Sequence, residues 1–203
     1  MADAGSRSPA GALRGTALRE LILTIDPGER DDFVDELLGI EPPPPDGTEL
    51  PRGGVPYLPA SVNSIIEMVE AVPLREDDVL VDVGSGLGRA LILAHLLSGA
   101  RARGVEIQAH LIERARARCA ALGLTMIEHV HGNAADVELA GSVFLLYAPC
   151  NGALLTAVLR GIESVARAHK IVVCTIDLEL HDVPWLVLRA RSSTSLTIYD
   201  SRV

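Results

Sequence analysis

The stretch 79–89, Val-Leu-Val-Asp-Val-Gly-Ser-Gly-Leu-Gly-Arg, constrains this chain more than any other. Its run of Val and Leu predicts a short strand buried on both faces, as in a parallel sheet. Asp82 interrupts the run near its end, and Gly84, Gly86 and Gly88 follow. Apolar residues at helical spacing over 87–98 predict a helix directly afterwards. A strand, a glycine turn and a helix in this order bring main-chain N–H groups up to a polar, nucleotide-like ligand.

Spacing separates two cofactor classes. The dinucleotide fingerprint Gly-x-Gly-x-x-Gly puts its third glycine three places after the second, whereas Gly88 lies two places after Gly86. With an acid two places before the first glycine, the segment resembles motif I of the class I S-adenosylmethionine (SAM) methyltransferases. That resemblance implies backbone at Gly84, Ser85, Gly86 and Gly88 lying along the methionine part of SAM, with Asp82 reaching its amino acid end. A structural glycine turn in another α/β protein is the alternative for these residues alone. Arg103-Gly104-Val105-Glu106-Ile107 then predicts a second strand ending in an acid, about twenty residues beyond the glycines, where a carboxylate accepts both ribose hydroxyls. The family has Asp or Glu here, so Glu106 is assigned to the ribose and Ile107 to the adenine wall. A solvated strand-end glutamate does not account for the distance from the glycines.

The fold so implied is α/β, a Rossmann-like class I methyltransferase sheet. It is mostly parallel, with a C-terminal antiparallel hairpin and an N-terminal helical extension. Residues 1–54 form the extension or lid and residues 55–203 the SAM-dependent domain. Strands are expected over 125–130, 142–148 and 170–176, helices over 108–122 (capped by Gly123) and 151–167, and the hairpin over 185–191 and 195–201. Little room is left for a helix after the fifth strand. The open rim around Glu179, His181 and Trp185 then either widens an acceptor entrance or receives a partner subunit.

At the N-terminus, residues 1–11 are small and polar and read as disordered. A helix is expected over 12–25. Asp26-Pro27-Gly28-Glu29 resembles a capping box with proline at the first helical position, opening a helix over 29–38 that buries Phe33, Leu37 and Leu38. These helices either cover the cofactor cleft or are a packing extension. Four prolines at 42–45 make a stiff, extended linker, and a helix starts at Ala60 or Ser61 and runs to Val72.

The run Pro56-Tyr57-Leu58-Pro59-Ala60-Ser61-Val62-Asn63-Ser64-Ile65-Ile66, followed by the glycine motif, is similar to two lysine methyltransferase groups. One is the non-SET histone lysine methyltransferase of the telomeric-silencing type; the other methylates a lysine of the ATP-synthase c subunit. In both, a proline-containing loop before this helix closes over the methionine end of SAM, which implies that Tyr57 and Pro59 line the entrance. The histone enzymes have threonine where Leu58 stands, so that contact is not carried over. The wider family has Gly-Asp after the third strand. Here Gly132-Asn133-Ala134 stands in its place, and either Asn133 or the later Asp136 takes the adenine amino group. Tyr147, at the end of the fourth strand, either shapes the acceptor channel, offers its ring face to a sulfonium or amine, or is a core aromatic. The Asn/Asp-Pro-Pro-aromatic run of nucleobase and glutamine amine methylases is absent, which disfavours those substrates.

Composition sets the remaining bounds. The 203 residues, 48% hydrophobic, suffice for one full core. A formal net charge of −9 opposes binding to a phosphate backbone. No apolar run reaches the length of a membrane span or forms a signal-peptide core, so the expected location is cytoplasmic, with no nucleic-acid or membrane partner. Cys119, Cys150 and Cys174 read as reduced thiols, and no metal site is expected. His129 and His131 merely alternate on one strand face.

SAM is the expected cofactor. The expected activity is methyl transfer to an amine, with a protein lysine as one acceptor; a small-molecule methyltransferase and a non-catalytic SAM-binding module are the alternatives. The oligomeric state is left open. Methyl transfer needs alignment and exclusion of water before it needs a base, and the candidates Asp177, Glu179 and His181 lie on the correct edge of the sheet without standing out.

Overall fold

The computed structural model describes residues 13–46, 50–192 and 195–202; the expectation for residues 1–11 lies outside them. The chain forms α1 (Gly15–Leu23), α2 (Arg30–Leu38), α3 (Val62–Ala71), β1 (Val79–Val83), α4 (Arg89–Ser98), β2 (Arg101–Glu106) and α5 (Ala109–Leu122). There follow β3 (Ile127–His131), β4 (Val143–Tyr147), α6 (Gly152–Ala166), β5 (Val172–Ile176), β6 (Leu186–Arg191) and β7 (Leu196–Ser201). The seven strands make one sheet in the order β3-β2-β1-β4-β5-β7-β6. The first five pair in parallel, and β7 runs antiparallel to both β5 and β6. This is the expected mostly parallel sheet closed by a hairpin.

Strand periodicity divides the core in two. Leu80, Val143, Leu145, Cys174 and Ile198 face a layer shared with α1–α5, while Val81, Val83, Phe144, Leu146 and Val173 face a layer shared with α6. Helix α4 explains the first layer. Arg89 through Leu96 are all buried, and a helix apolar on every side needs cover beyond the sheet. Helices α1 and α3 supply it, with Leu18, Ile22, Ile65 and Met68 in the same cluster.

Local signals set most boundaries. Ser61 caps α3, its Oγ accepting from the Ser64 N–H at 3.1 Å, a contact worth about 1 kcal/mol. Gly123 ends α5 in the left-handed region at φ 68°. The N-terminal helices correct two expectations. Asp26 does not cap α2; its Oδ1 accepts from Gly28 N–H at 2.9 Å in a turn that includes Pro27, and α2 opens only at Arg30. Its buried residues are Val34 and Leu38, with Phe33 and Leu37 packed at the margin.

No helix stands between β5 and β6. The loop there is not wholly an open rim, because Leu178, Leu180, Val183 and Trp185 pack on the second core layer. Thr175 Oγ1 donates to Leu178 O at 2.6 Å and Leu180 N–H to the Tyr199 hydroxyl at 3.2 Å. Glu179 and His181 remain exposed. Among the described residues, no helix is long and apolar enough to cross a membrane.

Candidate functional site: a roofed cleft at the strand tips

The turn after β1 is built on three left-handed residues, Gly84 (φ 78°), Gly86 (φ 52°) and Gly88 (φ 83°). Glycine adopts that region without the Cβ penalty, so the chain reverses into α4 within five residues. Main chain ties the turn to the next strand: Gly84 and Ser85 N–H donate to Val105 O at 2.8 and 3.1 Å. Glu106 completes the tie, Oε2 accepting from Gly86 N–H at 2.9 Å and Oε1 from Gln108 N–H at 2.8 Å. Burial raises the Glu106 pKa, opposed by the N–H groups of Gln108, Gly86 and Ile107 and by His110. Asp82, 5% exposed, is pushed up to about 7 by burial and by the neighbouring Glu106.

One buried cation holds the N-terminal helices to this turn. Arg89, the first residue of α4, donates Nε to Asp35 Oδ1 at 2.7 Å and one terminal nitrogen to Asp31 Oδ2 and to Ala60 O, each at 3.1 Å. The other carboxylate oxygen of Asp31 accepts from Val62 N–H at 2.8 Å, capping α3. Three helices thus converge on the end of the glycine turn.

The linker then crosses over the strand tips as a roof. Asp46 Oδ1 accepts from Tyr57 N–H at 2.9 Å and from Gln108 Nε2 at 3.1 Å. Gly54 pairs with Cys150 as an antiparallel bridge, Val55 N–H donates to Pro149 O at 3.3 Å, and Asn151 N–H to Gly53 O at 2.8 Å. The Tyr57 ring lies on the Gly86 backbone, where a Cβ would collide with it. Burial pushes the Tyr57 hydroxyl up to about 12, opposed by Arg89 and by the nearby Leu87 N–H.

Between roof and sheet lies a cleft of about 200 Å³, open to solvent. Of the residues selected from the sequence, Tyr57, Gly84, Glu106, Ile107, Asn133, Ala134 and Tyr147 line it. Pro59, Asp82, Ser85, Gly86 and Gly88 do not. Ser85 is buried against Gly104, its Oγ without a partner among the described residues. Gly88 faces Ala115 and His129. Gly86 lies beneath the Tyr57 ring. Asn133 Oδ1 already accepts from Ala135 N–H at 3.0 Å, leaving the second lone pair of that oxygen. Among the described residues, no cluster of side chains could hold a metal ion.

At the far end the tips of β4 and β5 meet. Tyr147 ends β4, followed by Ala148 at φ 38°, and Asp177 follows β5 at φ 51°. Both Asp177 and Tyr147 line the cleft. Burial raises the Tyr147 pKa, as do the nearby Asp177 and Asp31 carboxylates. Glu179 and His181 do not line the cleft. Glu179 is paired with Arg191 at 2.8 Å and with His181 at 3.4 Å on the surface. Sequence spacing alone could not separate Asp177 from these two neighbours, and the signals that a non-glycine residue turns left-handed there are structural.

Sheet order, glycine turn and cleft together are those of the class I methyltransferase fold. An RNA methyltransferase from Salinibacter ruber, solved with S-adenosyl-L-homocysteine, is 25% identical, aligning over 71% of this chain and 92% of its own with a TM-score of 0.56. The protein yhhF from Escherichia coli, assigned as a methyltransferase, is 14% identical over 73% of this chain and 92% of its own, with a TM-score of 0.59. A point mutant of MtNAS, solved with S-adenosylmethionine, is 17% identical over 68% of this chain and 61% of its own, with a TM-score of 0.54. No family model matches the sequence, and no curated protein matches it either.

Proposed function

We propose that the protein binds SAM in this cleft and transfers its methyl group to an amine. The observation that carries the reading is Glu106. Its two oxygens are fixed by the main chain of Gly86 and Gln108 at the mouth of β1 and β2, and each keeps a lone pair for a ribose hydroxyl. On this reading Ile107 packs on the adenine, Asn133 and Ala134 meet its edge, and Asp82 faces the methionine ammonium beneath the glycine turn. Gly84 presents bare backbone to the cleft, as a close-lying ligand requires, and the backbone of Gly86 lies under the Tyr57 ring. Tyr57 covers the methionine end and excludes water from it.

When bound, SAM supplies a methyl group on a positively charged sulfur that departs as a neutral thioether. The protein's part is alignment, worth several kcal/mol of barrier by the effective-molarity argument. The carboxylates of Glu106 and Asp177 line the cleft, and the nearby cation Arg89 is already held by Asp31 and Asp35. Such a field favours cationic ligands, a sulfonium and an ammonium alike.

A protein lysine fits the exposed apolar lip beside the entrance, where Leu58 is 64% and Val55 37% exposed. A small-molecule amine is the second reading, favoured by the roof, which main-chain bonds tie down at Val55 and Asn151. In both, residues 1–54 act as the extension: α1 and α2 buttress the glycine turn, and the linker forms a cover continuing into residues 55–58. Incubation with tritiated SAM and host lysate, followed by size fractionation, tests the proposal. Label in macromolecules supports the lysine, label in the small-molecule fraction the alternative, and no incorporation contradicts methyl transfer.

A further inference from the structure

The acceptor end of the cleft holds one carboxylate that no cation satisfies. Asp177 lies at the tip of β5 and lines the cleft beside Tyr147, whose register partner is Ile176, the residue before Asp177. Among the described residues it is in no ion pair, whereas Glu179 is taken by Arg191 and His181. Its position is built into the fold. The residue turns left-handed at φ 51°, and the loop after it is pinned by Thr175 to Leu178 and by Leu180 to Tyr199. Aspartate tolerates that backbone better than most residues, so the fold sets the backbone that carries this carboxylate at the cleft wall.

We propose that Asp177 receives the methyl acceptor as a protonated amine and positions its nitrogen beside the ring of Tyr147. This rests on the SAM reading above and extends it to the acceptor side. The ammonium gives a charge-assisted hydrogen bond to the carboxylate. One proton passes to Asp177 and on to water, which frees the nitrogen lone pair. That pair forms the new C–N bond as the S–C bond breaks, the S–C electrons stay on sulfur, and the product leaves as a methylated ammonium. Tyr147, beside Asp177 at the tips of β4 and β5, offers the cation its ring face. An alcohol offers the carboxylate no charge of its own, and a carboxylate acceptor is repelled by it.

The test uses full-length protein saturated with S-adenosylhomocysteine and titrated by NMR with n-butylammonium chloride and, separately, n-butanol. Wild-type protein should prefer the cation. Asp177→Asn, which tolerates the same left-handed backbone, should weaken cation binding by about tenfold or more. It should leave the alcohol and S-adenosylhomocysteine affinities unchanged. Glu179→Gln should change none of them. Equal binding of cation and alcohol by wild-type protein, retained cation affinity in Asp177→Asn, or an equal loss in Glu179→Gln would overturn the assignment. Failure of wild-type protein to take up S-adenosylhomocysteine would overturn the cofactor reading and this one with it. Uptake without cation preference overturns Asp177 alone.

Discussion

The ring of Tyr57 rests on the backbone of Gly86, in the space a side chain at position 86 would need. The contact joins the linker to the glycine turn. The Tyr57 N–H is bound by Asp46 at 2.9 Å. A ligand lying along the glycine backbone must therefore pass under this ring or move it.

Gly86→Ala meets two penalties at once. At φ 52° the left-handed backbone costs an alanine about 1–2 kcal/mol, and the added methyl displaces Tyr57. The melting temperature should drop by roughly 2–8 °C, and SAM binding should be lost. Adding Tyr57→Ala should restore part of the stability but not the binding; a double-mutant cycle by thermal denaturation measures the coupling.

Glu106→Ala removes the two ribose acceptors and the tie between turn and strand. SAM affinity should fall by about 1–3 kcal/mol, roughly 5- to 150-fold in Kd, as read by calorimetry. An unchanged Kd would remove Glu106 from the site.

Asp82 predicts a pH dependence. Its folded pKa of about 7 lies above the ordinary 3.8. Across that window the folded chain keeps a proton that the unfolded chain has released. The group's contribution is therefore full below the ordinary value and is lost as pH rises through the folded one. Asp82→Asn abolishes this loss. Its melting temperature relative to wild type should rise steadily from about pH 4 to about pH 8, and parallel curves would contradict the burial-driven shift.

Arg89→Met should loosen α2 from α4 by leaving Asp31, Asp35 and Ala60 O without their shared donor. Asp31 and Asp35 keep 38% and 25% of their side-chain exposure. The cost should therefore be about 2 kcal/mol, below the roughly 3–5 of a fully buried pair. Chemical denaturation measures it, and proteolysis of the N-terminal helices should accelerate.

Where the sequence is informative, a local rule operates. The strand, glycine turn and buried helix of 79–98, the acid ending β2, the Ser61 and Gly123 caps and the closing hairpin each announce themselves within a few residues. What escapes depends on distant partners. Asp26 resembles a cap because a turn and a helix start share the same side-chain chemistry, and only packing decides that Val34 faces inward in preference to Phe33. The Arg89 network joins residues 54 and 58 positions apart, Asp46 reaches Gln108 across 62, and no spacing rule connects such pairs. Asp177 stands among three equivalent rim candidates until the fold commits Glu179 to Arg191.

The central claim is that an adenosyl ligand lies over the tips of β1 and β2, its ribose on Glu106. A crystal structure with S-adenosylhomocysteine tests it most directly. The account predicts both ribose hydroxyls on the Glu106 carboxylate, the adenine between Ile107 and Asn133–Ala134, and the homocysteine beneath Tyr57. Ligand bound elsewhere, or a cleft that stays closed by Tyr57 at saturating ligand, would contradict it.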